Sequence, residues 1–175
     1  MFKLIKLFSL AGVSILLIFL VVTHLVAKQK VISKSFNTLL KTLLSHSVAE
    51  LNITQVNPKV NYIFLDAREK NEYNVSHIKG AIWVGYKTFN INSVKGFEKN
   101  KPIIVYCSIG YRSEKIAEQL VNHGFTNVKN LYGGIFEWVN QSNVVYSKNK
   151  VTNKVHGFDK FWGVWLEKGV KVFDK

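Results

Sequence analysis

The chain has 175 residues, enough for one domain with appendages, and its single cysteine excludes an internal disulfide, so folding does not depend on oxidation. A formal net charge of +13 comes from 22 lysines and only two arginines, Arg68 and Arg112. The lysines are scattered, without zinc-ligand spacing or a recognition-helix pattern, so the charge fits solubility, attraction of small anions and nearness to anionic lipid, and no nucleic-acid partner is expected.

Lys3 and Lys6 precede an almost unbroken apolar run over residues 7–27, matching the ~20 residues that a helix needs to cross a bilayer. Residues 1–30 therefore read as a transmembrane signal anchor or a signal peptide. Bulky Leu25 before Val26-Ala27 makes a poor cleavage site and favours the retained anchor. Lysines flank both ends of the run, so the positive-inside comparison is close to a tie. The very short lysine-bearing tail places the remainder outside the cytoplasm, as a membrane-anchored periplasmic domain. In residues 31–46, Phe36, Leu39, Leu40, Leu43 and Leu44 recur at helical spacing. They predict an amphipathic linking helix that packs on the domain or lies on lipid.

From Tyr62 onward short apolar runs alternate with helical stretches. Strands are expected over 62–65, 81–84, 103–106 and 128–131. Helices are expected over 69–74, over 113–123 until Gly124 stops it, and from Gly133-Gly134 through Trp138. Buried strands alternating with helices give an α/β fold, a parallel sheet covered on both faces, with its site at the carboxyl ends of the strands. In residues 142–175, Phe158, Phe161, Trp162, Trp165 and Leu166 share one helical stripe, with Asp159 near its start and Gly169 just past its end. This extension predicts an aromatic helix packed on the domain, the alternative being a helix at the membrane interface.

Cys107 ends the apolar run from Ile103 to Tyr106 and is followed by Ser108-Ile109-Gly110-Tyr111-Arg112-Ser113. A thiol between a buried strand and a helix start faces backbone N–H groups and the positive end of a helix dipole, which favour thiolate, the nucleophilic form. Most lone cysteines are small buried hydrophobes. The strand-end position, the glycine-containing turn and a nearby arginine argue against that here. A guanidinium offers a planar fork of donors to an oxyanion, although either arginine could be paired structurally with a carboxylate, Arg68 more readily than Arg112.

Two blocks together resemble the rhodanese-like domain. The first is Leu65-Asp66-Ala67-Arg68-Glu69-Lys70-Asn71-Glu72-Tyr73, continued by Ser76-His77-Ile78-Lys79-Gly80-Ala81; the second runs from Val105 to Ser113, with Leu131-Tyr132-Gly133-Gly134-Ile135-Phe136-Glu137-Trp138 downstream. The resemblance covers residues 47–141. It implies a five-stranded parallel sheet flanked by helices and a sulfurtransferase that takes a sulfane sulfur from a small anionic donor such as thiosulfate and passes it to cyanide or a thiol. On this resemblance Cys107 is the persulfide-bearing nucleophile, Ser108, Ile109, Gly110, Tyr111, Arg112 and Ser113 form the substrate loop, and Arg112 contacts the anionic donor. Asp66 and Arg68 brace the site, and His77 is a turn residue.

No cofactor is expected, nor a metal, since His24, His46, His123 and His156 have no cysteine or carboxylate arrangement that suggests a metal site. An ionised thiol needs no general base. Cysteine-dependent phosphatases place one more residue between nucleophile and arginine than Ser108 to Tyr111 provide, and the tighter loop favours a sulfur atom over a phosphoryl group. A non-catalytic interaction module is the other alternative. Such modules typically lack the cysteine, which this chain keeps.

Overall fold

The computed structural model describes residues 31–174. Helix α1 (Lys34–Leu43) starts where Ser33 Oγ accepts the Phe36 N–H at 3.4 Å. Its apolar stripe places Phe36 and Leu40 one turn apart, and both are fully buried. The linking helix thus packs on protein.

Strands β1 (Glu50–Leu51), β2 (Ile63–Asp66), β3 (Ile82–Trp83), β4 (Ile103–Tyr106) and β5 (Val128–Leu131) form one parallel sheet in the order β1-β5-β4-β2-β3. Helices α2 (Lys70–Val75), α3 (Tyr111–Asn122) and α4 (Gly134–Asn140) connect or follow these strands. Central β4 is buried at all four positions, as a strand covered on both faces must be. Its alternation separates two cores. Ile104 and Tyr106 join Phe36, Leu40 and Ile135 on one face, while Ile103 and Val105 join Ile116, Leu120 and Phe125 on the other. Helix α3 begins at Tyr111, two residues before the predicted start, because Gly110 already supplies the cap.

Beyond α4 lie a hairpin of β6 (Val145–Ser147) and β7 (Lys150–Thr152), then β8 (Lys154–His156) paired in parallel with β9 (Val170–Val172). The expected aromatic helix is replaced by a single 3-10 turn, Trp162–Trp165. Asp159 Oδ1 accepts the Trp162 N–H at 2.8 Å and closes that turn. Gly163 sits so tightly that a Cβ there would lie 3.1 Å from the Phe173 ring and 3.2 Å from the Gly157 carbonyl oxygen. The chain then leaves to pair as β9. Part of the stripe packs inward, Leu166 being fully buried and Trp165 stacking on Phe36 with ring centroids 5.3 Å apart at 14°, whereas Phe158 and Phe161 are exposed.

The expected anchor falls on residues 1–30, outside the described residues. The expectation of a membrane-anchored periplasmic domain is corrected. Among the described residues no helix is long and apolar enough to cross a membrane, and α1 buries Phe36 and Leu40 in protein rather than lipid.

Candidate active site

At the carboxyl end of β4 the chain turns through Cys107, Ser108 and Ile109 to Gly110, whose φ of 118° lies in the region that favours glycine. Asn130 on β5 fixes this turn: its Nδ2 donates to the Gly110 carbonyl at 3.0 Å, and its Oδ1 accepts from Ser113 Oγ at 2.7 Å. Ser113 Oγ also lies 3.1 Å from the Gly110 carbonyl oxygen. With that carbonyl held, the Gly110 N–H donates to Cys107 Sγ at 3.2 Å.

The glycine pair before α4 closes the loop from the other side. Ile135 N–H donates to the Cys107 carbonyl at 2.9 Å and Phe136 N–H to the Ser108 carbonyl at 3.1 Å. Gly134, at φ 57°, has no room for a side chain, because a Cβ would meet the Cys107 carbonyl oxygen and approach the Ser108 carbonyl oxygen to 2.6 Å. The loop carbonyls are therefore turned towards α4.

Arg112, in the first turn of α3, is forked onto Glu72 of α2, with Nη1–Oε2 at 2.6 Å and Nη2–Oε1 at 2.8 Å. Ser108 Oγ donates to Glu72 Oε1 at 3.0 Å and accepts from Arg112 Nη2 at the same distance. Burial alone would raise the Glu72 pKa, but the hydrogen bonds and charge of Arg112 outweigh it and hold the carboxyl below its ordinary range. Asp66 and Arg68 form a second, fully buried pair, Arg68 Nη2 lying 2.6 Å from Asp66 Oδ2 and from the Ser76 carbonyl oxygen. Both arginines of the chain are thus paired with carboxylates.

Cys107, 1% exposed, lines a pocket of about 270 Å³ together with Ser108, Ile109 and Arg112. Leu43 of α1, Tyr111, and Phe158 and Trp162 of the C-terminal extension complete its wall. The structure therefore brings Cys107, Ser108, Ile109, Tyr111 and Arg112 to one cavity. Gly110 and Ser113 shape the loop behind it, Ser113 being fully buried, and Asp66 and Arg68 lie in the buried layer beneath. Sequence reasoning missed five residues here. Glu72 was signalled by its place in the first motif opposite a scarce arginine, whereas Leu43, Asn130, Phe158 and Trp162 carry no local signal for the site.

Residues 47–141 match the family model described as the rhodanese-like domain, more than half of the chain. The chain belongs to the rhodanese-like domain family. Within the curated proteins it is similar to the tRNA uridine(34) hydroxylase of Wigglesworthia glossinidia brevipalpis, 32% identical over 120 residues that cover 65% of this chain and 38% of that protein. It is also similar to the tRNA uridine(34) hydroxylase of Hamiltonella defensa, 36% identical over 104 residues, 54% of this chain and 29% of the relative. The rhodanese-like chain thus spans well under half the length of these relatives. Among solved structures, the rhodanese-like domain of an Anabaena protein is similar with a TM-score of 0.48 and 24% identity, covering 52% of this chain and 69% of that one.

Proposed function

We propose that this rhodanese-like protein is a sulfurtransferase working through a Cys107 persulfide. The Cys107 thiolate attacks the outer sulfur of a donor such as thiosulfate. The Sγ–S bond forms as the donor's S–S bond breaks, and sulfite leaves with the electron pair. A thiol or cyanide then attacks the bound outer sulfur and Cys107 leaves as thiolate, so the cycle is redox-neutral. The observation that carries this reading is the hydrogen bond from Gly110 N–H to Cys107 Sγ at the base of a cavity, in a loop braced by Asn130 and α4. Such a donor stabilises negative charge on the sulfur. Ser108 and Arg112 share Glu72 and keep the loop in shape.

A second reading follows from the relatives' name, action on a tRNA uridine, and is favoured by identity above 30% across the matched segment. The test is intact-mass analysis of the full chain after exposure to thiosulfate. The expected result is gain of one sulfur atom, its release as thiocyanate on adding cyanide, and no gain by Cys107→Ser. No uptake from any sulfane donor sinks the proposal. In that case, hydrolysis of phenyl phosphate supports a phosphatase, and one added oxygen on tRNA supports the second reading.

A further inference from the structure

The pocket over Cys107 is built unlike a trap for a small inorganic dianion. Its one lining arginine, Arg112, has both terminal nitrogens on Glu72. A forked pair of this kind carries no net charge, and turning the guanidinium towards a ligand would strand the Glu72 carboxylate, which is almost fully buried. Phe158 covers the guanidinium from the pocket side, its ring centroid 4.9 Å from Arg112 Cζ. Besides Cys107 and Ser108 at the thiol, the remaining wall is formed by Leu43, Ile109, Tyr111 and Trp162. Beyond the loop N–H groups at the thiol, the sulfonate of an incoming thiosulfate would shed its hydration against carbon and one neutralised ion pair, which is unfavourable. A hydrocarbon group would gain from the same surface.

The wall is also held in place. Phe158 adopts φ 65°, a conformation a bulky residue keeps only when its surroundings fix it. The Phe158 N–H donates to His156 Nδ1 at 3.0 Å, and His156 Nε2 lies 3.1 Å from Asp174 Oδ1. Asn71 Nδ2, on the helix that carries Glu72, donates to Asp174 Oδ2 at 2.6 Å. Aromatic wall and ion pair are therefore tied to the same helix. Leu43, Phe158 and Trp162 all lie outside the segment 47–141 that matches the family model, so this wall is built by residues flanking that segment.

We infer that the site takes its sulfur from an organic persulfide, R–S–SH, whose R group is a compact apolar moiety seated against Phe158, Trp162 and Leu43. The inference rests on the sulfurtransferase reading and names its substrate class. The Cys107 thiolate attacks the terminal sulfur; the Sγ–S bond forms, the S–S bond of the donor breaks, and R–S⁻ leaves with the electron pair. The proton of the persulfide stays on the transferred sulfur, and no oxidant or reductant is needed. At about 270 Å³ the cavity lies just below the ~300–1,000 Å³ of pockets for drug-sized ligands. It suits a group of one ring or a short branched chain.

The test is single-turnover sulfur uptake by the full chain, followed by intact mass, with benzyl persulfide and with thiosulfate. Benzyl persulfide is expected to load Cys107 at least about tenfold faster at equal concentration. Phe158→Ala is expected to cut that preference about tenfold, and Phe158→Lys, which places a cation in the wall, to move it further towards thiosulfate. Phe158 is 42% exposed, so both variants keep the core. Thiosulfate loading as fast or faster, or a wild-type preference that both variants retain, overturns the inference and leaves the sulfurtransferase reading standing. Loading from neither donor overturns the sulfurtransferase reading, and the inference with it.

Discussion

Arg112 and Glu72, 40 residues apart in sequence, meet through two hydrogen bonds of 2.6 and 2.8 Å, and Ser108 of the cysteine loop bonds to both. Glu72→Ala leaves Arg112 almost buried without a counter-charge, and such a loss costs about 3 kcal/mol. A lower urea midpoint with unchanged slope is the expected signature. The folded-state pKa of Glu72 lies below its ordinary 4.5, so the stability it contributes is complete above that value and is lost as pH falls through the depressed one. Unfolding of the native protein and Glu72→Gln between pH 7 and 3 should show the native advantage shrinking towards acid; a constant gap refutes the assignment.

Glu137 behaves in the opposite sense. Its Oε1 accepts the Ile32 N–H and Gln141 Nε2, both at 2.7 Å, yet burial outweighs these bonds and raises its pKa above 4.5. A raised folded-state value gives stability that is present below pH 4.5 and lost as pH rises through the higher value. Compared with Glu137→Gln, the native protein should lose ground as pH rises, a trend opposite to that for Glu72. Thermal melts of the pair across that range check it.

Gly134 separates packing from chemistry at the loop. Any side chain there meets the Cys107 and Ser108 carbonyls, and the backbone is already at positive φ. Gly134→Ala should cost about 2 kcal/mol or more and, in the fraction that stays folded, slow sulfur uptake through displacement of Cys107. Unaltered uptake kinetics would show that this contact does not set the cysteine's position.

Phe36 and Trp165 tie the first described helix to the C-terminal extension by a stacked contact at 5.3 Å. A double-mutant cycle with Phe36→Ala and Trp165→Ala should give a coupling of about 0.5–1.5 kcal/mol. Additive losses would mean that the two rings are buried independently.

Strand β4 was legible to the residue because a strand buried on both faces must be apolar along its length, and Ile103 to Tyr106 is such a run; β5 was legible from Val128 and Leu131 at its ends, although Lys129 and Asn130 interrupt the run. The sequence reading named four strands. The fifth, Glu50–Leu51, has two residues and exists only through pairing with β5, which no local pattern encodes. The same holds for β8 and β9, three residues each and far apart in the chain. The aromatic stripe from Phe158 to Leu166 reported the burial of Leu166 but not the exposure of Phe158 and Phe161, nor the conformation, since its spacing also suits one tight turn that contains Gly163. At the site, the cysteine loop stood out by its glycine and arginine. Of its supports, Glu72 was marked only by its place in the first motif and Asn130 not at all, because their roles depend on which strands and helices are neighbours.

The cavity has two builders. Cys107 and its loop come from the shared domain, whereas Leu43, Phe158 and Trp162 come from the flanks. A substitution in a flank can retune which molecule is admitted while the reacting sulfur stays where it is, so over generations a lineage has room to change its diet without relearning how to chew.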